Sequence, residues 1–561
     1  METYFDLGSY CREITTSSDQ AQKWFNRGLI WCYAFHHTEA VRCFKKVIEF
    51  DPTCAMGYWG LAYAIGPYYN ITWDKMPEPL LKMALSETFE NSRKAHSLVE
   101  GTSPIERALI EAFLMRFQAS EVDHEVGNEE TFAEWDDAYA NAMRSVYTRF
   151  SEDYDICALT AEALMVRTPW QLWELASGKP ADGADTLEVM EILETALYRA
   201  EELGDVRHPG LHHFYIHCME MSPEPEKALV VSDRLRTMIP DAGHLNHMPS
   251  HIYVLCGQYA KTIDSNVDAV ISDDKYLAVD NTPGIFYIYH SHNLHFQVYG
   301  ALFSGQYAEA LRATDEIEAR LTEDVLRVDS PFIAHFLEWI YPVRPHIYIR
   351  FGKWDEIIAQ TLPGDPDLYA VTTATWHYAK GIAYAVLGHI DQALEQQMLF
   401  RTALAALPED RISYQNVSSE VLAVGDAMLD GELEYRRGNY DVAFDHLRRS
   451  VALYDNLNYA EPWTWMQPPR HALGALLLEQ RHVMEAAQVY RADLGLDDTL
   501  QRSSQHPNNI WSLHGYAECC QLLGDEAEFK SIQKKLEEAQ AVADIEVNAS
   551  CFCRKADHCC S

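Results

Sequence analysis

Residues Trp24–Gly66 read WFNRGLIWCYAFHHTEAVRCFKKVIEFDPTCAMGYWGLAYAIG, and this stretch decides the fold. Apolar residues recur at helical spacing on both sides of His36–His37, which predicts two amphipathic helices turning over at that pair. Pro52 then punctuates the chain before a third helix begins. Gly28, Ala40, Ala55 and Gly60 fall where paired helices must approach closely, while Trp24, Phe44 and Trp59 are large enough to fill the spaces between them.

Working outward, the same turn returns as CGQYAKTI around Gly257, SGQYAEAL around Gly305, FGKWDEII around Gly352, LGHIDQAL around Gly388 and RGNYDVAF around Gly438. Each glycine is suited to end one helix in the left-handed conformation, with the next helix following at once. No run alternates with period 2 for long enough to make a sheet. Repeating helix pairs of this kind are the logic of the tetratricopeptide (TPR) repeat, with intervals longer than the ideal ~34 residues. The expectation is an all-α, superhelical solenoid of degenerate TPR-like pairs over residues 21–545. An N-terminal segment (1–20) precedes it and a flexible, Cys-rich tail (546–561) follows. Pro/Gly-rich stretches at 168–185, 222–226, 362–367 and 461–470 read as inter-helix loops, with Trp170, Trp173, Trp463 and Trp465 packing them onto the scaffold.

Across 561 residues, 84 acidic side chains oppose 45 basic ones, a net charge of −39. Such a surface repels phosphate backbones and anionic lipid, so neither nucleic acid nor a membrane surface is an expected partner. No stretch approaches the ~18–20 uninterrupted apolar residues of a membrane span. The N-terminus lacks the basic and apolar regions of a signal peptide. Cys32, Cys43, Cys54, Cys157, Cys218 and Cys256 are scattered through helical patterns like buried thiols, so a cytoplasmic location is expected.

Chemistry concentrates in 207–296, where ten histidines fall in three segments: HPGLHHFYIHCME, AGHLNHMPSHIY and YHSHNLHF. On a helix starting after Pro209, His213, His217 and Glu220 lie at i, i+4 and i+7, within about 60° of arc. His212 points elsewhere. In the second segment Pro249 suits a helix's first turn, with His251 just inside it and His244 and His247 in the loop before. His292 and His295 share a face in the third. Any single pair has an ordinary explanation as a surface or satisfied core residue. Three successive segments of one-turn spacings are harder to satisfy without a cation, because unpaired buried imidazoles are costly.

The chain resembles uncharacterised TPR-domain proteins of bacteria and filamentous fungi. The marks are YAFHHTEAVRCF, DPTCAMGYWGLAYAIGPYYN, AEALMVRTPW, HHFYIHCMEMSPEPEKAL, AGHLNHMPSHIYVLCGQY, YHSHNLHF and HPNNIWSLHGYAECCQLLG. The resemblance implies the fold, and it carries over His37 and Glu39 as residues of interest, with His36 standing where the family often has asparagine. It names no reaction.

Imidazole-rich ligand sets favour copper or zinc over magnesium or calcium. Iron ranks lower, since few carboxylates accompany the histidines and only Glu220 and Glu162 are suited to a di-iron site. The reading is a copper centre of one or two ions that activates dioxygen to oxidise a small organic substrate. Its metal ligands are His213, His217, Glu220, His244, His247, His251, His292 and His295. Catalytic candidates are Glu220, His37 and Glu162, with Glu220 a ligand or proton-transfer base. Tyr215, Tyr253 and Tyr289 read as packing residues. Zinc at the same cluster implies hydrolysis by a metal-activated water. A non-catalytic TPR interaction scaffold is the third reading. The terminal CFCRKADHCCS sets Cys551, Cys553, His558, Cys559 and Cys560 together as a second, thiolate-rich candidate for copper or zinc.

Overall fold

The computed structural model describes residues 4–122 and 128–554. Among these residues the regular structure is helical, apart from two minimal hairpins pairing Trp173–Glu174 with Lys179–Pro180 and Ile412–Ser413 with Asn416–Val417, and one isolated bridge. The chain is an all-α array of TPR-like helix pairs. It divides into two compact units, Met1–Ile252 with Ile271–Val279, and Tyr253–Val270 with Asp280–Ser561. The expected 21–545 solenoid therefore has an internal boundary, as repeat arrays allow when each element packs mainly on its neighbours.

The first unit contains α1 (Asp19–Tyr33), α2 (His37–Phe50), α3 (Ala55–Ile65), α4 (Glu78–Ser97), α5 (Pro104–Arg116), α6 (Asn128–Phe150), α7 (Tyr154–Met165), α8 (Thr186–Leu203), α9 (Pro209–Met219), α10 (Leu229–Leu235) and α11 (Gly243–His247). After α12 (Pro249–Leu255) and α13 (Tyr259–Leu277), the second unit continues with α14 (Ile285–Ser304), α15 (Tyr307–Arg320), α16 (Glu323–Leu326), α17 (Pro331–Ile340), α18 (Val343–Arg350) and α19 (Trp354–Ala359). It closes with α20 (Ala370–Leu387), α21 (Ile390–Ala406), α22 (Ser418–Arg436), α23 (Tyr440–Asp455), α24 (Pro469–Glu479), α25 (Val483–Asp493), α26 (Ile510–Leu523) and α27 (Glu526–Val542). Consecutive helices pack in pairs, α1 on α2, α20 on α21, α22 on α23 and α26 on α27.

The opening stretch folds as its pattern dictates. Phe44 of α2 is fully buried, and its ring lies so close to Gly28 and Gly60 that a Cβ there would meet ring carbons at 2.8 and 2.2 Å. Truncating such a ring to alanine costs about 3–5 kcal/mol. Trp59 stacks on Phe113 of α5, whereas Trp24 faces the N-terminal segment, against Tyr4 and Arg27. All five repeat-turn glycines, Gly257, Gly305, Gly352, Gly388 and Gly438, have φ between +64° and +84°. In the first pair that place is held by Phe35, a non-glycine residue at φ +54°.

Neither chain end is loose as far as it is described. Arg12 pairs with Asp153 and Asp155 on and before α7. The segment drawn as a flexible tail is docked through residue 554: Ser550 meets the Tyr490 hydroxyl, and Arg554 forms a bidentate pair with Glu518. No described helix is long and apolar enough to cross a membrane.

Candidate metal centre

The site is built from α9 and α11, with a wall supplied by the α1–α2 turn. Helix α9 starts at Pro209, one residue earlier than the sequence reading places it. The His208 imidazole caps it by accepting the Leu211 N–H at 3.1 Å, and Pro209 occupies the first turn, where its missing N–H costs nothing. The helix is buried all round, so His212, His213 and His217 are carried into the interior.

His213 and His217 lie one turn apart with ring centroids 4.8 Å from each other. Each is anchored through Nδ1. His213 Nδ1–H donates to the Tyr33 carbonyl at 2.6 Å, and His217 Nδ1–H donates to Glu220 Oε1 at 3.0 Å. Those bonds fix the tautomer and leave both Nε2 atoms buried with no hydrogen-bond partner among the described residues. His244 joins them from α11, its centroid 5.0 Å from His213, and one ligand atom from each of the three lies within 4.8 Å of the others. Burial holds all three imidazoles neutral: His217 is pushed down to about 3, and His213 and His244 fall well below the usual histidine range, helped by their mutual repulsion. Three neutral, buried imidazoles, two of them anchored through Nδ1, are what a cation with nitrogen ligands requires.

No protein-family model matches the chain, and no curated protein matches it. Among solved structures it is similar to yeast Tom70, at 12% identity over 92% of this chain and 99% of that one, with a TM-score of 0.27. It is also similar to a monomeric IFIT1 mutant with Gppp-AAAA (12% identity, 93% and 96% coverage, TM-score 0.32) and to the APC/C hetero-tetramer Cut9–Hcn1 (14%, 95% and 95%, 0.26). These are TPR-repeat proteins. The likeness adds nothing to the architecture already described.

Glu220 caps α9 and is fully buried, and it serves a different role from the one its spacing suggests. Its Oε1 accepts His217 Nδ1–H and its Oε2 accepts His251 Nδ1–H at 2.5 Å. The carboxylate thus orients two imidazoles from behind, one of them in the three-histidine cluster. His251 in turn brings its Nε2 to 2.8 Å from His247 Nε2. His244 and His247 sit in the short helix α11 rather than in a loop, while Pro249 does open α12 with His251 inside it.

The remaining sequence candidates have the following partners. His212 is tied to its own helix through the His208 carbonyl. His37 bonds the Ala64 carbonyl through Nδ1 at 2.8 Å and stacks on Tyr68, and Glu162 faces Arg116 at 3.7 Å. Glu39 accepts from the Tyr4 hydroxyl, and the His36 ring caps α2. His292 and His295 belong to α14 of the second unit, where they pack against Phe336 and Trp339. Cys551 and Cys553 are joined as a disulfide, so they would need reduction before either offered a thiolate. His558, Cys559 and Cys560 lie outside the described residues.

Two contributors were not legible in the sequence. The Tyr33 carbonyl is the first, since a backbone acceptor has no sequence signature. The second is Phe35, whose ring lies 4.4 Å from His213, 5.7 Å from His217 and 5.4 Å from His244. Its one signal is the absence of glycine at a turn that uses glycine elsewhere.

Proposed function

We propose that His213, His217 and His244 hold a copper ion, and that the protein is a copper-dependent oxidoreductase or oxygenase acting on a small organic molecule. The observation that carries this reading is the pair of anchored imidazoles whose Nε2 atoms are buried together without partners. A nitrogen-only ligand set suits copper or zinc and disfavours magnesium and calcium. Glu220 orients two of the imidazoles, as a carboxylate behind nitrogen ligands does, and the ligand set itself is all nitrogen. Copper would supply one-electron chemistry with dioxygen. The chain's own residues keep the rings neutral, hold their orientation and close the site with the Phe35 ring. A dinuclear centre would draw its second ion to His247 and His251.

The test is elemental analysis of untagged protein, wild type against His213→Ala/His217→Ala. One equivalent of copper, absent from the variant, supports the reading, and two equivalents extend it to His247 and His251. Zinc in the same stoichiometry redirects the chemistry to hydrolysis. No stoichiometric metal, even after reconstitution, overturns the reading and leaves an interaction scaffold.

A further inference from the structure

The second unit contains a buried cation without a counter-ion. Five arginines are buried among the described residues: Arg12, Arg116, Arg350, Arg411 and Arg470. Four face carboxylates: Arg12 pairs with Asp155 at 2.7 Å, Arg116 with Glu162 at 3.7 Å, Arg411 with Glu338 at 2.7 Å and Arg470 with Asp455 at 2.5 Å. Arg350, only 5% exposed at the end of α18, forms no ion pair among the described residues, and its buried Nε has no hydrogen-bond partner. Its guanidinium lies 4.9 Å from the Trp511 ring centroid, a contact that offsets only part of the lost hydration.

The nearby carboxylate that ought to compensate it is already engaged. Asp493 accepts from His471 Nε2–H and His506 Nδ1–H, each at 2.9 Å, from the Asn509 amide at 2.9 Å and from the Ser512 hydroxyl at 2.6 Å. Burial accordingly pulls Arg350 down to about 9, with Asp493 opposing from a distance. Around it stand groups suited to an organic body. His346 lies one turn earlier on α18 with its ring edge-on to Trp465 at 4.9 Å, and Trp465 meets Tyr378 at 5.1 Å. His471, close enough to feel the Arg350 charge, keeps its Nδ1 buried and unpartnered.

We propose that Arg350 is the anchor of a small-molecule site in the second unit that takes the carboxylate of an organic acid. An unpaired buried guanidinium costs several kcal/mol, and a planar carboxylate supplies the two parallel acceptors that match its fork. The aromatic rings of Trp465, Tyr378 and Trp511 suit an acid with an unsaturated or aromatic body. His471 Nδ1 offers an acceptor for a hydroxyl on the same ligand. This site does not rest on the metal reading.

The test is thermal unfolding of the full chain, at constant metal loading, with acetate, benzoate and phenylacetate, each against its neutral amide. At saturation at least one acid is expected to raise Tm by about 2 °C or more, and its amide is not. Arg350→Met is expected to melt no lower than wild type without ligand, because it removes an uncompensated charge, and to lose the response. Arg350→Lys should keep a reduced response. The proposal is overturned if no acid exceeds its amide, if Arg350→Met still responds, or if that variant melts well below wild type or fails to fold, which makes Arg350 a structural cation. A response to inorganic phosphate in place of the acids overturns the carboxylate assignment.

Discussion

Glu220 in the first unit and Asp493 in the second are both fully buried carboxylates that hold two imidazoles each, yet they stand on opposite sides of their histidines. Asp493 sits in the middle of its donors, and four side chains converge on it. The negative charge is consumed within the network, its pKa lies well below the carboxylate range, and what results is a cross-link between α24, α25 and α26. Glu220 sits behind its rings. It takes the Nδ1 hydrogens of His217 and His251, so the far nitrogens are aimed away from it, and that of His217 meets no acceptor among the described residues. A carboxylate among histidines makes a structural network, whereas one behind them leaves the far nitrogens turned away from it, the arrangement the proposed metal reading uses.

Removing each carboxylate breaks this comparison most directly. Asp493→Ala leaves two imidazoles, an amide and a hydroxyl without their acceptor in a dry interior, and should cost about 3–5 kcal/mol in urea unfolding while metal content stays unchanged. A cost under about 1 kcal/mol would mean the network is not a cross-link. Acid comes next. His346 and His471 are held neutral chiefly by burial, at about 3 and about 4 respectively, with Arg350 pushing both the same way. The unfolded chain takes up these protons near 6.5 and the folded one does not. Their neutral forms therefore contribute stability that is whole above about 6.5 and is lost as pH falls toward 3–4. The stability–pH slope between 6 and 4 should flatten measurably in His346→Phe, and an unchanged slope would remove His346 from the account.

Glu220→Gln tests the other half more gently. An amide can accept one Nδ1–H through its oxygen and cannot accept both imidazoles as the carboxylate does, so one ring loses its orientation. Copper affinity, read by competition with a chelator, should weaken about 10–100-fold while the helices remain intact. An affinity equal to wild type would make Glu220 a packing residue.

These contrasts also mark how far the sequence could be read. Helix pairs, left-handed glycines and the burial of His213 and His217 follow from spacing, because period and backbone chirality are local properties. Glu220 illustrates the limit. Its i+3 distance from His217 places it beside that ring, but only the approach of α12, which brings His251 to its second oxygen, shows that it holds a second imidazole as well. His37 came from the family resemblance and Glu162 from an apolar helix, and their partners, the Ala64 carbonyl and Arg116, lie on other helices that no local pattern names. Arg350 gave no signal at all, since an arginine ending a helix is ordinary until the carboxylate near it, Asp493, proves to be engaged by other donors.

The turns allow the finest comparison. At Gly388 the backbone stands at φ +84° with no atom within 4 Å of where a Cβ would be. Gly388→Ala thus isolates the left-handed backbone from any clash, and should cost about 1 kcal/mol in urea unfolding without touching either buried site. Phe35 bears a strain of the same kind at φ +54°, and in its surroundings the ring closes over three imidazoles. If the strain is retained for that wall, Phe35→Gly relieves the backbone but still loses stability, because burial of an aromatic ring outweighs a single residue's left-handed cost. A gain in stability with unchanged metal content would separate the turn from the site, and would reduce Phe35 to the first repeat's substitute for glycine.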